Sequence, residues 1–194
     1  ALMMTRPETL VDLGEITVEI GTPIVVHKSD TERAWFPSVL QLQQKKLIVT
    51  IQRAEDDINP NALASLYRAT EDGGRTWSEP HVWQEGGNSW VRLEDGTCLW
   101  LSYLLTFQSE NVANCRVGRS RDGVTYAWTD GTVDVAPYRF GHMKKGTASF
   151  VFHQSILEMP DESLLATLYG SFEDDASYRS IVVRSTDGGS TWSL

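Results

Sequence analysis

A turn built from aspartate and glycine and closed by tryptophan occurs twice in this 194-residue chain. Thr70-Glu71-Asp72-Gly73-Gly74-Arg75-Thr76-Trp77-Ser78 recurs as Ser185-Thr186-Asp187-Gly188-Gly189-Ser190-Thr191-Trp192-Ser193. A third, shorter copy lies between them, Ser120-Arg121-Asp122-Gly123-Val124-Thr125-Tyr126. It lacks the second glycine and carries Tyr126 in the tryptophan's place, or Trp128 after a small insertion. Aspartate in such a turn accepts hydrogen bonds from the backbone N–H groups just ahead of it, while glycine takes the positive-φ positions. Each copy follows an extended-looking segment, at 62–67, 113–117 and 180–183. The motif is therefore expected to close a hairpin between two strands, with the tryptophan packing inward.

The repeat extends upstream. Phe36-Pro37-Ser38-Val39-Leu40, Gly87-Asn88-Ser89-Trp90-Val91 and His153-Gln154-Ser155-Ile156-Leu157 align on their serines, which precede the turn motifs by 32, 31 and 30 positions. Between them falls a second strand in each unit, at 47–51, 98–103 and 164–169, preceded by turns at 44–46, 94–96 and 160–162. Each unit reads strand, turn, strand, variable loop, strand, Asp turn, strand. No segment holds a helical period over 11 or more residues. Four antiparallel strands recurring about every 50 residues are the pattern of a propeller blade. The expected fold class is all-β, a β-propeller of four-stranded antiparallel blades with three blades in this chain. The expected organisation is a closing strand within 10–32, a first blade over 33–80, and a second over 81–130. An inserted loop over 131–147 and a third blade over 148–194, lacking its outer strand, follow. Three blades cannot close a ring, so the expected partner is a second copy of the chain, or the remainder of a longer chain.

Composition narrows the function. A net charge of −9 makes the chain a poor ligand for polyanions, so neither nucleic acid nor a membrane is an expected partner. No apolar run approaches the roughly 20 residues that span a bilayer. The first eight residues lack the apolar stretch of a secretory signal, and a cytoplasmic location is expected. The two cysteines, Cys98 and Cys115, are expected as reduced, buried thiols, placed as cross-strand neighbours. No metal-ligand spacing, phosphate loop or nucleophile elbow is present, so neither metal nor cofactor is expected.

With its turns at 70–77 and 185–192 and the blade frame over 33–194, the chain resembles the Asp-box, or BNR-repeat, superfamily of sialidase-like β-propellers. That resemblance implies half of a six-bladed propeller and a carbohydrate ligand. In sialidases an arginine cluster binds the substrate carboxylate, an aspartate is the acid/base and a Tyr–Glu pair the nucleophile. The family's Phe-Arg-Ile-Pro motif corresponds to Ala34-Trp35-Phe36-Pro37-Ser38, where Trp35 holds the arginine position and Arg33 lies two residues away. Arg53 corresponds to the second-strand arginine, and Asp56 or Asp57 to the loop acid.

The residues expected around a channel mouth follow from strand starts and from the loops after second strands. Asp56, Asp57, Glu173 and His153 are the candidate catalytic groups. Arg33, Trp35, Arg53, Gln154 and Tyr169 are the candidate substrate-binding groups. Glu55-Asp56-Asp57 and Glu173-Asp174-Asp175 occupy equivalent loops, and two carboxylates across a cleft can divide the work of glycoside hydrolysis. The expected function is a sialidase-like glycoside hydrolase with carboxylate acid/base catalysis. Two alternatives stay open: a non-catalytic carbohydrate- or protein-binding propeller, and a polysaccharide lyase using His153 and Tyr169.

Overall fold

A computed structural model describes residues 9–12, 17–53, 64–83, 89–143, 146–153, 156–175 and 177–194. The strands in chain order are β1 (Thr9–Asp12), β2 (Thr17–Ile20), β3 (Trp35–Gln41), β4 (Leu47–Gln52), β5 (Ser65–Thr70), β6 (His81–Trp83), β7 (Ser89–Arg92) and β8 (Cys98–Leu101). They continue as β9 (Leu104–Phe107), β10 (Val112–Ser120), β11 (Ala127–Asp134), β12 (Thr147–Phe152), β13 (Leu157–Glu158), β14 (Leu164–Gly170), β15 (Arg179–Ser185) and β16 (Thr191–Ser193). Among the described residues there is no helix.

All three Asp turns close hairpins, β5–β6, β10–β11 and β15–β16. In the first, Asp72 Oδ1 accepts the N–H groups of Arg75 and Thr76 at 2.8 and 3.0 Å and the Thr70 hydroxyl at 2.7 Å, while Oδ2 accepts the Thr76 hydroxyl at 2.7 Å. Asp187 repeats this with Ser190, Thr191 and Ser185 at 3.0, 2.9 and 2.8 Å. The shorter turn moves one residue earlier: Asp122 Oδ1 accepts from Val124 and Thr125 at 2.8 and 2.7 Å. The missing glycine is thus absorbed within the turn, and Tyr126 is the residue that stands in for tryptophan. Both indole N–H groups point back to close the loop, Trp77 to the Gly74 carbonyl at 3.0 Å and Trp192 to that of Gly189 at 2.9 Å.

The repeat does not give three separate blades. The first unit is one four-stranded antiparallel sheet in the order β3-β4-β5-β6. The second and third units merge, because β11 pairs β16 in parallel and β9 bridges β10 and β12. The result is a closed circuit of seven strands, β9, β10, β11, β16, β15, β14 and β12, with β8 and β7 continuing outward from β10. The expected strand 98–103 supplies the bridge by breaking. Ser102 Oγ donates to the Leu104 carbonyl and accepts the Arg116 N–H, which ends β8 and lets β9 start in a new register. The nine residues of β10 then serve both neighbours: Ala113 and Asn114 face β9, whereas Val117 to Ser120 face β8.

Two apolar clusters follow. Leu99, Leu101, Leu105, Val117, Val133, Phe150, Phe152 and Trp192 belong to the larger one, formed by the closed circuit. Leu40, Leu42, Ile48, Trp83, Trp90, Cys98 and Trp100 form the second, which joins the first sheet to β7 and β8. Strand β8 feeds both by alternation, Cys98 and Trp100 to one side and Leu99 and Leu101 to the other. Gly123 shows how tightly the sheets meet: a Cβ there would lie 2.5 Å from Leu42 Cδ2.

Several expectations are corrected. The outer strand of the third unit is present as the short β16, which meets β15 at Arg184↔Ser193 and pairs β11 in parallel. Strands β1 and β2 pair with each other, and 21–26 adds no strand to any sheet. The segment 131–147 begins as the end of β11 and returns through bridges Phe140↔Phe172 and His142↔Ala148. Cys98 and Cys115 are buried free thiols but not cross-strand neighbours. Cys98 stands opposite Ser120 on β10, Cys115 opposite Gly131 on β11, and they face different clusters. Among the described residues no group of His, Cys, Asp and Glu is placed to hold a metal.

Candidate functional site

The sheet register brings His153 and Tyr169 together. Strand β12 ends at Phe152, opposite Leu168, so the next residue meets Thr167; the His153 N–H donates to the Thr167 carbonyl at 3.1 Å, and the Thr167 hydroxyl donates to the His153 carbonyl at 2.6 Å. The imidazole then stands edge-on to the Tyr169 ring, 5.4 Å between centroids. Two residues missed in the sequence complete the group. The Tyr103 and Tyr169 hydroxyls are 2.7 Å apart and share a hydrogen bond, and the exposed Tyr178 ring stacks on Tyr169 at 6.3 Å. Tyr103 reaches this position because the chain breaks between β8 and β9, where its carbonyl also accepts the Phe152 N–H. The assembly offers aromatic faces, an imidazole and two phenolic hydroxyls, the groups that stack on sugars and bond their hydroxyls.

The charged candidates form separate groups. Arg53 follows β4 and holds Glu32 through one terminal nitrogen, 3.1 Å from each carboxylate oxygen, while its Nε donates to the Ala64 carbonyl at 2.7 Å. The pair is mostly withdrawn from water, with side-chain exposures of 15% for Arg53 and 31% for Glu32, so Arg53's charge is already balanced. Arg33 lies over the Trp35 ring at 5.3 Å, and Trp35 tilts against Phe36 at 5.7 Å.

Glu173 lies in the loop after β14, 3.2 Å from Arg139, which also bonds Asp174 at 2.8 Å. These acids, with Asp174 as the strongest influence, hold the Arg139 guanidinium above its ordinary range. Glu173 also lines a cavity of about 260 Å³ with Glu110, Phe107, Phe140 and His142, and the His142 ring rests on Phe107 at 4.4 Å. Asp175 is engaged by the Ser177 N–H and by Arg179, which lower its affinity for a proton. Asp56, Asp57 and Gln154 lie outside the described residues.

No protein-family model matches the chain, and no curated protein matches it. The similarity lies in solved structures. The Hadza microbial sialidase Hz136 superposes with a TM-score of 0.58 at 15% identity, over 94% of this chain and 41% of its own. The Bacteroides ovatus xyloglucan-locus protein GH43B superposes with a TM-score of 0.52 at 12% identity, over 84% of this chain and 28% of its own. The fold is that of a sialidase-like β-propeller. The chain spans less than half the length of either of these proteins.

Proposed function

We propose that the chain is part of a sialidase-like glycoside hydrolase whose sugar is bound beside His153, Tyr169, Tyr103 and Tyr178. The observation that carries this reading is the shared hydrogen bond between the Tyr103 and Tyr169 hydroxyls, set beside an imidazole and an exposed ring on a propeller fold. In the same reading the three Asp turns are Asp-box repeats, and the chain supplies part of a propeller ring. Hydrolysis needs one carboxyl group to protonate the leaving glycosidic oxygen and a second to attack the anomeric carbon or to activate water. Glu173, Asp56 and Asp57 are the carboxylates assigned to those roles. Strain or stacking from the aromatic group would orient the ring for that attack.

One observation favours a second reading, a carbohydrate-binding propeller without hydrolysis. Arg53 is neutralised by Glu32 and Glu173 by Arg139, so two of the charged candidates are occupied within the chain. The two readings separate in one experiment: chromogenic glycosides and uronate-containing oligosaccharides are offered to the full chain and to His153→Ala, Tyr169→Phe and Glu173→Gln. Hydrolysis lost in Glu173→Gln with binding retained supports the hydrolase. Binding without turnover, weakened in Tyr169→Phe and His153→Ala, supports the second reading. An unsaturated product absorbing in the ultraviolet would replace both with lyase chemistry. Sugar affinity unchanged in Tyr169→Phe and His153→Ala refutes the site itself.

A further inference from the structure

We propose that a second site, the cleft between the β3–β4 turn and β7, binds a saccharide that carries a carboxylate. The cleft measures about 450 Å³ and lies at the far end of β3 from Trp35. The six steps along that strand amount to about 20 Å, so the cleft is removed from the Arg33–Trp35 end of the sheet. Its volume falls within the range of small-ligand sites, roughly 300–1,000 Å³. Leu42, Trp90 and Ile156, which are 6%, 5% and 1% exposed, give it an apolar floor. Gln43, Gln44 and Arg92 line it as well, and all three are exposed.

Arg92 stands apart from the other described arginines. Arg33 lies over Trp35 and Arg116 over Trp128. Arg53, Arg121, Arg139, Arg179 and Arg184 hold carboxylates, and Arg68, Arg75 and Arg119 donate to backbone carbonyls. Arg92 makes neither a hydrogen bond nor an ion pair nor a ring contact among the described residues, in a chain of net charge −9. Two of the acids near it have other partners. Asp95 takes Thr97 and Arg121, and Glu158 accepts the Glu94 N–H at 2.7 Å. The Gly96 turn leaves room for the guanidinium, since a Cβ there would come within 3.3 Å of Arg92 Nη2.

An unpaired guanidinium presents a fork of donors that matches a carboxylate. The Gln43 and Gln44 amides each offer both donors and an acceptor, the complement of sugar hydroxyls, and neither makes a side-chain hydrogen bond among the described residues. A ligand with one carboxylate among several hydroxyls answers both features; a bare anion answers only the first. This reading is independent of hydrolysis and goes beyond the site at His153 and Tyr169.

The test is titration calorimetry on the full chain with trigalacturonic acid, with maltotriose as the neutral sugar and sodium acetate as the bare carboxylate. Trigalacturonic acid is expected to bind at least tenfold tighter than either control, and more weakly as salt rises. Arg92→Gln should lower that affinity about tenfold or more, and Gln43→Ala should lower it by a smaller factor. Arg179→Gln removes a charge that pairs with Asp175, outside the cleft lining, and should leave the affinity unchanged, as should His153→Ala. Circular dichroism of each variant checks that the fold is retained. No binding of trigalacturonic acid, equal binding of acetate, or an equal loss in Arg179→Gln would overturn the proposal.

Discussion

Trp77 and Trp192 close the same turn with the same indole-to-carbonyl hydrogen bond, yet their removal should cost very different amounts. Trp192 is 2% exposed and belongs to the larger core cluster, packing edge-on against Phe152 at 5.8 Å. Its strand is paired on both sides, with Trp192 opposite Val133 of β11. A tryptophan buries about 150–250 Å², equivalent to about 4–6 kcal/mol at 25 cal/mol per Å². Allowing for the surface alanine still buries and for partial collapse of the site, Trp192→Ala should lose about 3–5 kcal/mol. Trp77 is half-buried, and the strand after its turn, β6, is an edge strand. Its replacement should lose about half as much, roughly 1.5–2.5 kcal/mol. Urea unfolding of the full chain, followed by tryptophan fluorescence and by circular dichroism, measures both. A domain of this size holds about 5–15 kcal/mol in all, so the Trp192 variant should still fold while its midpoint moves sharply. Equal losses in the two variants, or a loss below about 1.5 kcal/mol for Trp192→Ala, would refute the claim that closure of β11 on β16 seals that side chain.

Three further outcomes are expected. The Asp122 carboxyl is held at about 2, chiefly by the Thr125 N–H and against the opposing effect of burial, compared with an ordinary 3.8. The unfolded chain therefore takes up this proton first, so the stabilisation is complete above about pH 5 and lost as pH falls towards 2. Thermal melts should show a shallower acid limb in Asp122→Asn, and an unchanged limb would contradict the turn geometry. Gly123→Ala forces a φ of +74° on a side chain that meets Leu42, whereas Gly188→Ala, at +71°, meets nothing within 4 Å. The second should cost about 1–2 kcal/mol and the first visibly more in the same unfolding assay; equal costs would refute the close sheet contact. Burial raises both thiols, Cys115 to about 12, so a chromogenic disulfide reagent should modify neither in the native chain and both in denaturant; one fast-reacting native thiol would contradict their placement.

Much of the local structure was legible because its parts lie close together in the chain. The Ser/Thr, Asp and Gly of each turn stand within six positions, and the same hydrogen bonds form in the exposed copy at Asp72 as in the copy leading to the buried Trp192. The grouping of His153 with Tyr169 follows from neighbouring strands of one unit. Tyr103 was missed because 98–103 reads as one strand, and only the Ser102 side-chain bonds reveal the break that carries Tyr103 to Tyr169. Tyr178 and Glu32 lie in irregular segments that carry no period, so nothing in the pattern marks them as partners of Tyr169 and Arg53.

The sequence by itself determined the hairpins, their turns and the all-β character, since a carboxylate satisfying backbone donors a few residues ahead needs no help from distant chain. Tertiary structure decided how those hairpins combine. The parallel pairing of β11 with β16 joins residues nearly 60 positions apart, and the bridge through β9 joins two repeats into one closed sheet. Such contacts depend on the ordering of the intervening chain and on packing from both sides. Two near-identical motifs therefore end in different environments, one tryptophan sealed in a core and the other half in water.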